Sequence, residues 1–441
     1  MDPAVPSGAV PSAASPAAPG APPTDAGPGL RPLALVAFVL ANLCAWSAIL
    51  TPAAITLALR VREIDPDGAS GSLSLVAAVG AVFGIIGNPL FGRLSDRTRS
   101  RFGMRRPWML GGTAAGAVGL CLVAVAPSMP VLVVGWAVTQ LGIQALLAAI
   151  TAVLPDQVPP HQRGRIGGLV GMGQGAATTL GTGLLTLNAG SLTWGLLAPV
   201  GLAAVAVGFL CLVLPDRVHD GRPRPPLSVR EIASSFWSSP RRYPDFAWTW
   251  VSRLLVFMGI TILIVYQTYF LLARIGVPAA SIAAVMFGVL LLENGVSIAA
   301  NLVSGYLSDR AGRRKVFVGA AACLGALGFA VAGLAQTLPV FLVGVTLLGA
   351  AKGVYVAVDL AMATDLLPAG RAEAAKNMGL FTIASLFPNL LAPMIAPLVL
   401  AIGAGPPAPG APAGNYPLLF LTGGLFMLAG ALAVRPIRGV R

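Results

Sequence analysis

The sequence predicts an all-α membrane protein with twelve transmembrane helices in two pseudo-symmetric six-helix bundles. Three observations carry that expectation: an apolar composition, twelve apolar windows of spanning length, and a polar segment that recurs half a chain apart. With 56% hydrophobic and 10% charged residues among 441, a folded chain would have too little polar surface to dissolve in water, which excludes a soluble enzyme. The recurring segment reads Gly92-Arg93-Leu94-Ser95-Asp96-Arg97 and, 213 positions later, Gly305-Tyr306-Leu307-Ser308-Asp309-Arg310. Such a repeat marks a membrane unit built twice, an arrangement found in secondary carriers.

Windows of about 20 apolar residues are needed to cross a hydrocarbon core of about 30 Å. In the first half they fall near 33–58, 69–92, 108–126, 130–153, 167–189 and 194–214. The second half has them near 246–272, 280–306, 315–336, 338–361, 377–402 and 417–434. The expected domains are a tail over 1–32, a bundle over 33–214, a linker over 215–245, a second bundle over 246–434 and a tail over 435–441. The first 30 residues hold eight prolines and neither Lys nor Arg. They lack the charged start of a secretory signal and read as a disordered cytoplasmic tail. The linker, with six arginines and six prolines, and the Pro/Gly stretch 405–414 read as loops.

The net charge of +13 takes its meaning from where the basic residues sit. With both termini inside, the cytoplasmic segments hold 24 of the 29: Arg31, six in 93–106, two in 163–165, six in 217–242, four in 310–315, two in 371–376 and three in the C-terminal tail. Outer loops hold Arg60, Arg62 and Arg274, and Arg253 and Lys352 fall within spans. Cytoplasmic loops retain Lys and Arg, so the charge is an insertion signal for a multi-pass protein of the cell membrane. Nucleic acid is not an expected partner; the lipid bilayer and a small-molecule solute are.

Cys44, Cys121, Cys211 and Cys323 lie in apolar spans without CxxC spacing and read as small packing residues. His161 and His219 fall in loops, which leaves no histidine in the spans for a proton relay. No nucleophile with a base, metal cluster or phosphate-binding glycine loop is present, so no catalytic residue, metal or cofactor is expected, and the chain reads as a non-enzyme.

The segment Gly92 to Arg106, GRLSDRTRSRFGMRR, resembles the major facilitator superfamily, whose second-to-third-helix loop has the pattern G-x-L-S/A-D-R-x-G-R-R/K. The longer form Ser95 to Pro107 is similar to the sucrose and glycoside-pentoside-hexuronide symporter branch, as is Leu50-Thr51-Pro52. The resemblance implies a cytoplasmic gate made of Gly92, Asp96, Arg97, Arg105, Arg106, Gly305, Asp309, Arg310, Arg313 and Arg314. Read from chemistry alone, the glycines allow close helix approach, the aspartates cap helix ends, and the arginines offer forked donors to carboxylates. The alternative is that these charges only set topology. A second matched pair, Asp156 and Asp365, lies 209 apart near Arg163, Arg165 and Arg371 and is expected at the gate, with ordinary solvated loop charges as the alternative; Asp359 is expected at the gate too.

Arg253, Glu293 and Lys352 are ionisable groups within the spans, where charge is costly and usually faces a cavity, a partner or a pathway. A rise of 1.5 Å per residue puts each of them about 20 Å below the outer surface. They are expected to form one coupling cluster with Glu293 as the protonatable group, or else a permanent ion pair that joins helices. Helices 1 to 6 carry no charge away from their ends, which leaves a uniporter or exchanger open beside a proton-coupled carrier. Expected solute contacts are Asn42, Trp46, Gln140, Gln144, Gln174, Tyr266, Gln267, Tyr269, Asn294, Tyr355 and Asn389. Amides bond hydroxyls, and aromatic faces stack on sugars or lipophilic solutes; helix-to-helix bonding is the competing role.

Gly167, Gly171 and Gly175 form a close-packing stripe, and Pro388, Pro393 and Pro397 are expected to kink helix 11. The expected function is a secondary carrier, working as a monomer, for a small organic solute with a sugar or glycoside favoured. An exporter of lipophilic compounds is the alternative, and a non-transporting sensor or assembly partner is the third reading.

Overall fold

A computed structural model describes residues 31–158, 160–188, 191–214, 244–365, 380–403 and 414–437. Residues 1–30 of the expected tail and 215–243 of the expected linker, with Arg371 and the loop over 405–413, lie outside them. The fold is all-α, and the described residues form twelve long helices. They are α1 Pro32–Ile64, α2 Ala69–Arg97, α3 Arg106–Val125, α4 Met129–Gln157, α5 Pro160–Thr186 and α6 Leu192–Val213. Then follow α7 Pro244–Ile275, α8 Ile282–Ala311, α9 Arg314–Leu334, α10 Leu338–Asp365, α11 Leu380–Ala401 and α12 Tyr416–Ala433. All but α5 are long and apolar enough to cross a membrane by length and composition. The eight glycines of α5, with Arg163 and Arg165, dilute its hydropathy without shortening it.

Several helices outrun their apolar windows. The repeated Gly-Ser-Asp-Arg segments are not loops but the last turns of α2 and α8. Polar residues continue a helix readily once its end leaves the hydrocarbon, and an arginine in the last turn meets the negative end of the helix dipole. Gly312, at φ 61°, then ends α8 in the left-handed conformation that suits glycine.

Helix α1 runs through Pro52 to Ile64 rather than stopping near 58, because residues Pro52–Thr56 form a π-helical turn. The wider turn accommodates a proline that cannot donate its backbone hydrogen bond. Helix α7 ends in a second π turn, Leu271–Ile275, closed by Gly276 at φ 76°. In α11 a turn at Phe387 interrupts the helix just before Pro388, where proline kinking was expected.

The duplication is visible in the packing. A Cβ on Gly142 of α4 would lie 2.3 Å from the Gly116 nitrogen of α3, and one on Gly344 of α10 would lie 2.6 Å from the Ala332 nitrogen of α9. Each bundle therefore joins its third and fourth helices backbone to backbone, a contact that only small residues permit in lipid. Between the bundles, α2 packs on α11, α5 on α8, and α1 on α7. The end of the molecule that carries Arg97, Arg105 and Arg310 is called the basic face below.

Candidate functional site

On the basic face Arg105, 5% exposed, is the hub of the first repeat. Its Nη2 lies 2.6 Å from Asp96 and 3.0 Å from Asp156, and its Nη1 donates to Ser95 Oγ at 2.5 Å. One guanidinium thus ties the end of α2, the start of α3 and the end of α4, using the fork geometry that suits paired carboxylates. Arg106 donates to the Leu214 carbonyl at the end of α6 at 2.6 Å, and Trp108 Nε1 to Thr98 Oγ1 at 2.6 Å. These contacts lie within the N-terminal bundle. Gly92 and Arg97 sit half-buried in the last turns of α2, and Gly305 half-buried near the end of α8. Arg310 and Arg313 are exposed, and Arg314 is half-buried at the start of α9. The side chains of Arg163, Asp309 and Asp365 lie outside the description.

Deeper in the C-terminal bundle, Lys352 Nζ of α10 donates to Glu293 Oε1 of α8 at 3.0 Å. The two helices meet closely because a Cβ on Gly349 would lie 2.6 Å from the Glu293 carbonyl oxygen, and one on Gly353 2.1 Å from that of Ser297. The Glu293 side chain is 3% exposed and that of Lys352 26%, so the pair is reached from the lysine side. Glu293 Oε2 is buried without a hydrogen-bond partner among the described residues. The next residue, Asn294, donates to Thr179 Oγ1 of α5 at 3.1 Å and faces Gly175. The charge pair therefore adjoins a joint between the two bundles.

Arg253 does not join that pair. Its Nη1 bonds Asp359 Oδ2 of α10, and its guanidinium lies 4.8 Å from the Phe257 ring centroid and 4.0 Å from that of Phe381. The expectation of one three-charge level fails because it took α7 to span about 30 Å, whereas its 32 residues reach from Pro244 to Ile275. Arg253 is then 22 residues, about 33 Å, from that end. Asp359 is not on the surface of the basic face either: it is fully buried, and only a partnered carboxylate persists there. Two pairs on two levels replace one cluster.

The expected solute contacts divide into groups. Gln140 and Gln144 of α4 are half-buried against glycines of α2, and Asn88 Nδ2 donates to Gln144 Oε1 at 3.2 Å. Asn389 is exposed on α11, where Thr261 donates to its Oδ1 at 3.4 Å; Gln174 is exposed on α5, and Trp46 half-buried on α1. Asn42 is buried, with its Oδ1 unpartnered among the described residues; Gln267 is fully buried and neither of its amide atoms has a partner there. Tyr355 is buried with its hydroxyl 3.5 Å from Ser252. Tyr266 and Tyr269 bond instead across to the other bundle, at Ser74 and the Ala58 carbonyl. Thr179, Ser74 and Asn88 were missed by sequence reasoning, since single hydroxyls and amides carry no pattern. Asn88 was open to discovery, because Asn301 follows it at the repeat spacing of 213.

Comparison with known proteins agrees with the duplicated bundle. A stretch of 37 residues is 60% identical to an uncharacterized symporter of Synechocystis sp., covering 8% of this chain and 7% of that protein. Over 127 residues the chain is 29% identical to multidrug resistance protein 3 of Bacillus subtilis, covering 29% of this chain and 24% of that one. The chain thus matches a quarter or less of the length of either relative. In three dimensions it is similar to a bacterial homolog of the human lysosomal transporter Spinster, in an inward-facing, unoccupied conformation. That match has a TM-score of 0.68 at 15% identity and covers 93% of this chain and 96% of that one. The sequence profile of the Major Facilitator Superfamily matches residues 33–293 and again 250–440. With its two copies of a six-helix unit and a profile match that spans nearly all of both, the chain belongs to the Major Facilitator Superfamily.

Proposed function

We propose that the chain is a secondary transporter of the cell membrane that moves a small organic solute by alternating access, with its basic face and both termini in the cytoplasm. The observation that carries this reading is the buried Glu293–Lys352 pair, set one residue from the Asn294–Thr179 joint between bundles. When the bundles rock, that joint must shift beside Glu293, and the Lys352 side chain, the more exposed member of the pair, can leave it. A carboxylate beside an ammonium stays ionised, whereas one left alone in apolar surroundings takes a proton. Release of the Lys352 side chain, with α8 and α10 still joined, therefore couples proton uptake to the change of access. Arg105, bridging Asp96 and Asp156, belongs to the cytoplasmic gate together with the arginines that begin α9.

A sugar or glycoside is the favoured solute. Its support is the Ser95 to Pro107 resemblance and the amide row of Gln140, Gln144 and Asn88, whose paired donors and acceptors suit hydroxyls. The second reading is export of a lipophilic compound, and it is favoured by the likeness to multidrug resistance protein 3 over 29% of the chain. The test is uptake by reconstituted vesicles, under an imposed pH gradient, of radiolabelled disaccharides and of lipophilic dyes. Accumulation of a disaccharide against its gradient supports the first reading and extrusion of dye the second. Movement of neither, by protein that is folded and correctly inserted, favours a sensor or assembly role.

A further inference from the structure

At the end of the molecule opposite the basic face, α7 carries three consecutive hydrogen-bonding contacts into the N-terminal bundle. Tyr266 Oη lies 2.6 Å from Ser74 Oγ of α2. Ser74 gives its own proton to the Ser70 carbonyl at 2.7 Å, so Tyr266 is the donor. Thr268 Oγ1 donates to the Ala54 carbonyl and Tyr269 Oη to the Ala58 carbonyl, each at 2.7 Å. Ala54 belongs to the π turn of α1, and Ala58 follows that turn by two residues. Beside them Tyr416, the first residue of α12, lies 2.7 Å from Ser70 Oγ. Tyr266, Thr268 and Tyr269 are fully buried, and Ser74 is 3% exposed.

We propose that Tyr266, Thr268 and Tyr269 form the outer gate of the carrier, a latch of neutral hydroxyls that holds the protein closed on its extracellular side. The inference rests on the transporter reading and adds to it the identity of that gate. Three features point to a latch rather than to ordinary helix packing. The donors all come from one short stretch of one helix, so a single movement of α7 releases them together. Two of the three acceptors are main-chain oxygens of α1, at and just past a wide turn of a kind frequent at functional sites. Finally, a buried hydroxyl without a partner is costly, and opening the outer face would supply water to all three at once. Tyr266 and Tyr269 thus act as positioning residues for the change of access, with solute contact left to other residues. The outer latch works through uncharged groups, whereas the basic face is organised around ion pairs.

Hydrogen–deuterium exchange of the full-length protein in nanodiscs tests this without any solute, so its outcome does not depend on whether a transported compound is found. Replacing Tyr266→Phe and Tyr269→Phe keeps both rings and removes two donors. The expected result is a rise of about 3- to 10-fold per lost bond in exchange at residues 54–64 and 266–275. Ser74→Ala is expected to raise exchange alone and to add little on top of Tyr266→Phe, as a shared contact requires. Unchanged exchange in the double Tyr→Phe variant, with thermal stability retained, overturns the proposal, as does full additivity of Ser74→Ala and Tyr266→Phe. If the double variant loses stability, Thr268→Val, which replaces a hydroxyl by a methyl, must show the same local rise, and failure there is equally decisive.

Discussion

The joint between α2 and α4 and the joint between α8 and α10 are two copies of one structure, and their difference shows how the copies have specialised. Gly80 and Glu293 are 213 residues apart, as the two Gly-Ser-Asp-Arg segments are; Gln140 and Gly349, and Gln144 and Gly353, are 209 apart, as Asp156 and Asp365 are. In the first copy the glycine is on α2, where a Cβ on Gly80 would lie 2.2 Å from Trp136 Nε1 and 3.2 Å from Gln140 Nε2. In the second copy the glycines are on α10 and the bulk is on α8. Asn88 and Asn301, again 213 apart, keep the same duty in both: one donates to Gln144 Oε1 at 3.2 Å, the other to the Gly353 carbonyl at 3.3 Å. Exchanging which helix supplies the bulk preserved the close approach while placing amides in one bundle and an ion pair in the other. Amides suit a neutral solute, and a buried carboxylate suits proton coupling.

The comparison is tested most severely where the second copy carries charge. Asp359→Ala leaves the Arg253 guanidinium between two phenyl rings with no carboxylate. Breaking a buried pair from one side costs about 3–5 kcal/mol, to be read as a large loss of thermal stability in detergent. A loss no greater than that of a surface substitution would mean that Arg253 finds water or another partner. Arg105→Gln removes the ionic bridge from Asp96 to Asp156, with an expected cost of about 2–3 kcal/mol from lost charge-assisted bonds. Chemical denaturation would measure it, and retained stability would show the hub to be solvated.

Smaller effects separate the two joints themselves. Gly353→Ala sets a Cβ 2.1 Å from the Ser297 oxygen, a backbone clash with an expected cost of about 1–3 kcal/mol. At the corresponding joint Gly84→Ala meets only movable amide atoms at 3.5 Å or more and is expected to change stability by less than about 0.5 kcal/mol. Equal effects at the two sites would refute the assignment of a close backbone approach to Gly353 and not to Gly84. Asn294→Ala removes one bond between bundles, and its expected signature is a shift of about 1 kcal/mol or less in the balance of conformations rather than a loss of overall stability.

Much of the architecture was legible in the residues. Apolar windows located the helices to within a few residues wherever lipid contact decides the sequence, and the repeated Gly-Ser-Asp-Arg segment revealed the duplication. Helix ends were less legible: α1, α2 and α8 continue into polar sequence, since hydropathy reports the membrane boundary and not where backbone hydrogen bonding stops. The pairing of charges was legible only in part. Glu293 and Lys352 were recognised by their cost in lipid, but Arg253 was placed with them because a helix longer than the hydrocarbon core is thick puts residues counted from its two ends on different levels. Tyr266 and Tyr269 show the same limit: an aromatic with a hydroxyl suits a solute cavity and a bundle interface equally well, and only coordinates place Ser74 opposite one of them.

The central claim is that Glu293, alternately paired with Lys352 and protonated, ties proton movement to solute movement. It is tested most directly by comparing two modes of transport in Glu293→Gln vesicles. The glutamine keeps the shape and a hydrogen bond but cannot take up and release a proton. Accumulation driven by a pH gradient should be lost, while exchange of labelled for unlabelled solute, which needs only alternating access, should persist. Undiminished proton-driven accumulation by the glutamine variant would contradict the account and leave Glu293 and Lys352 as a fixed clasp between α8 and α10.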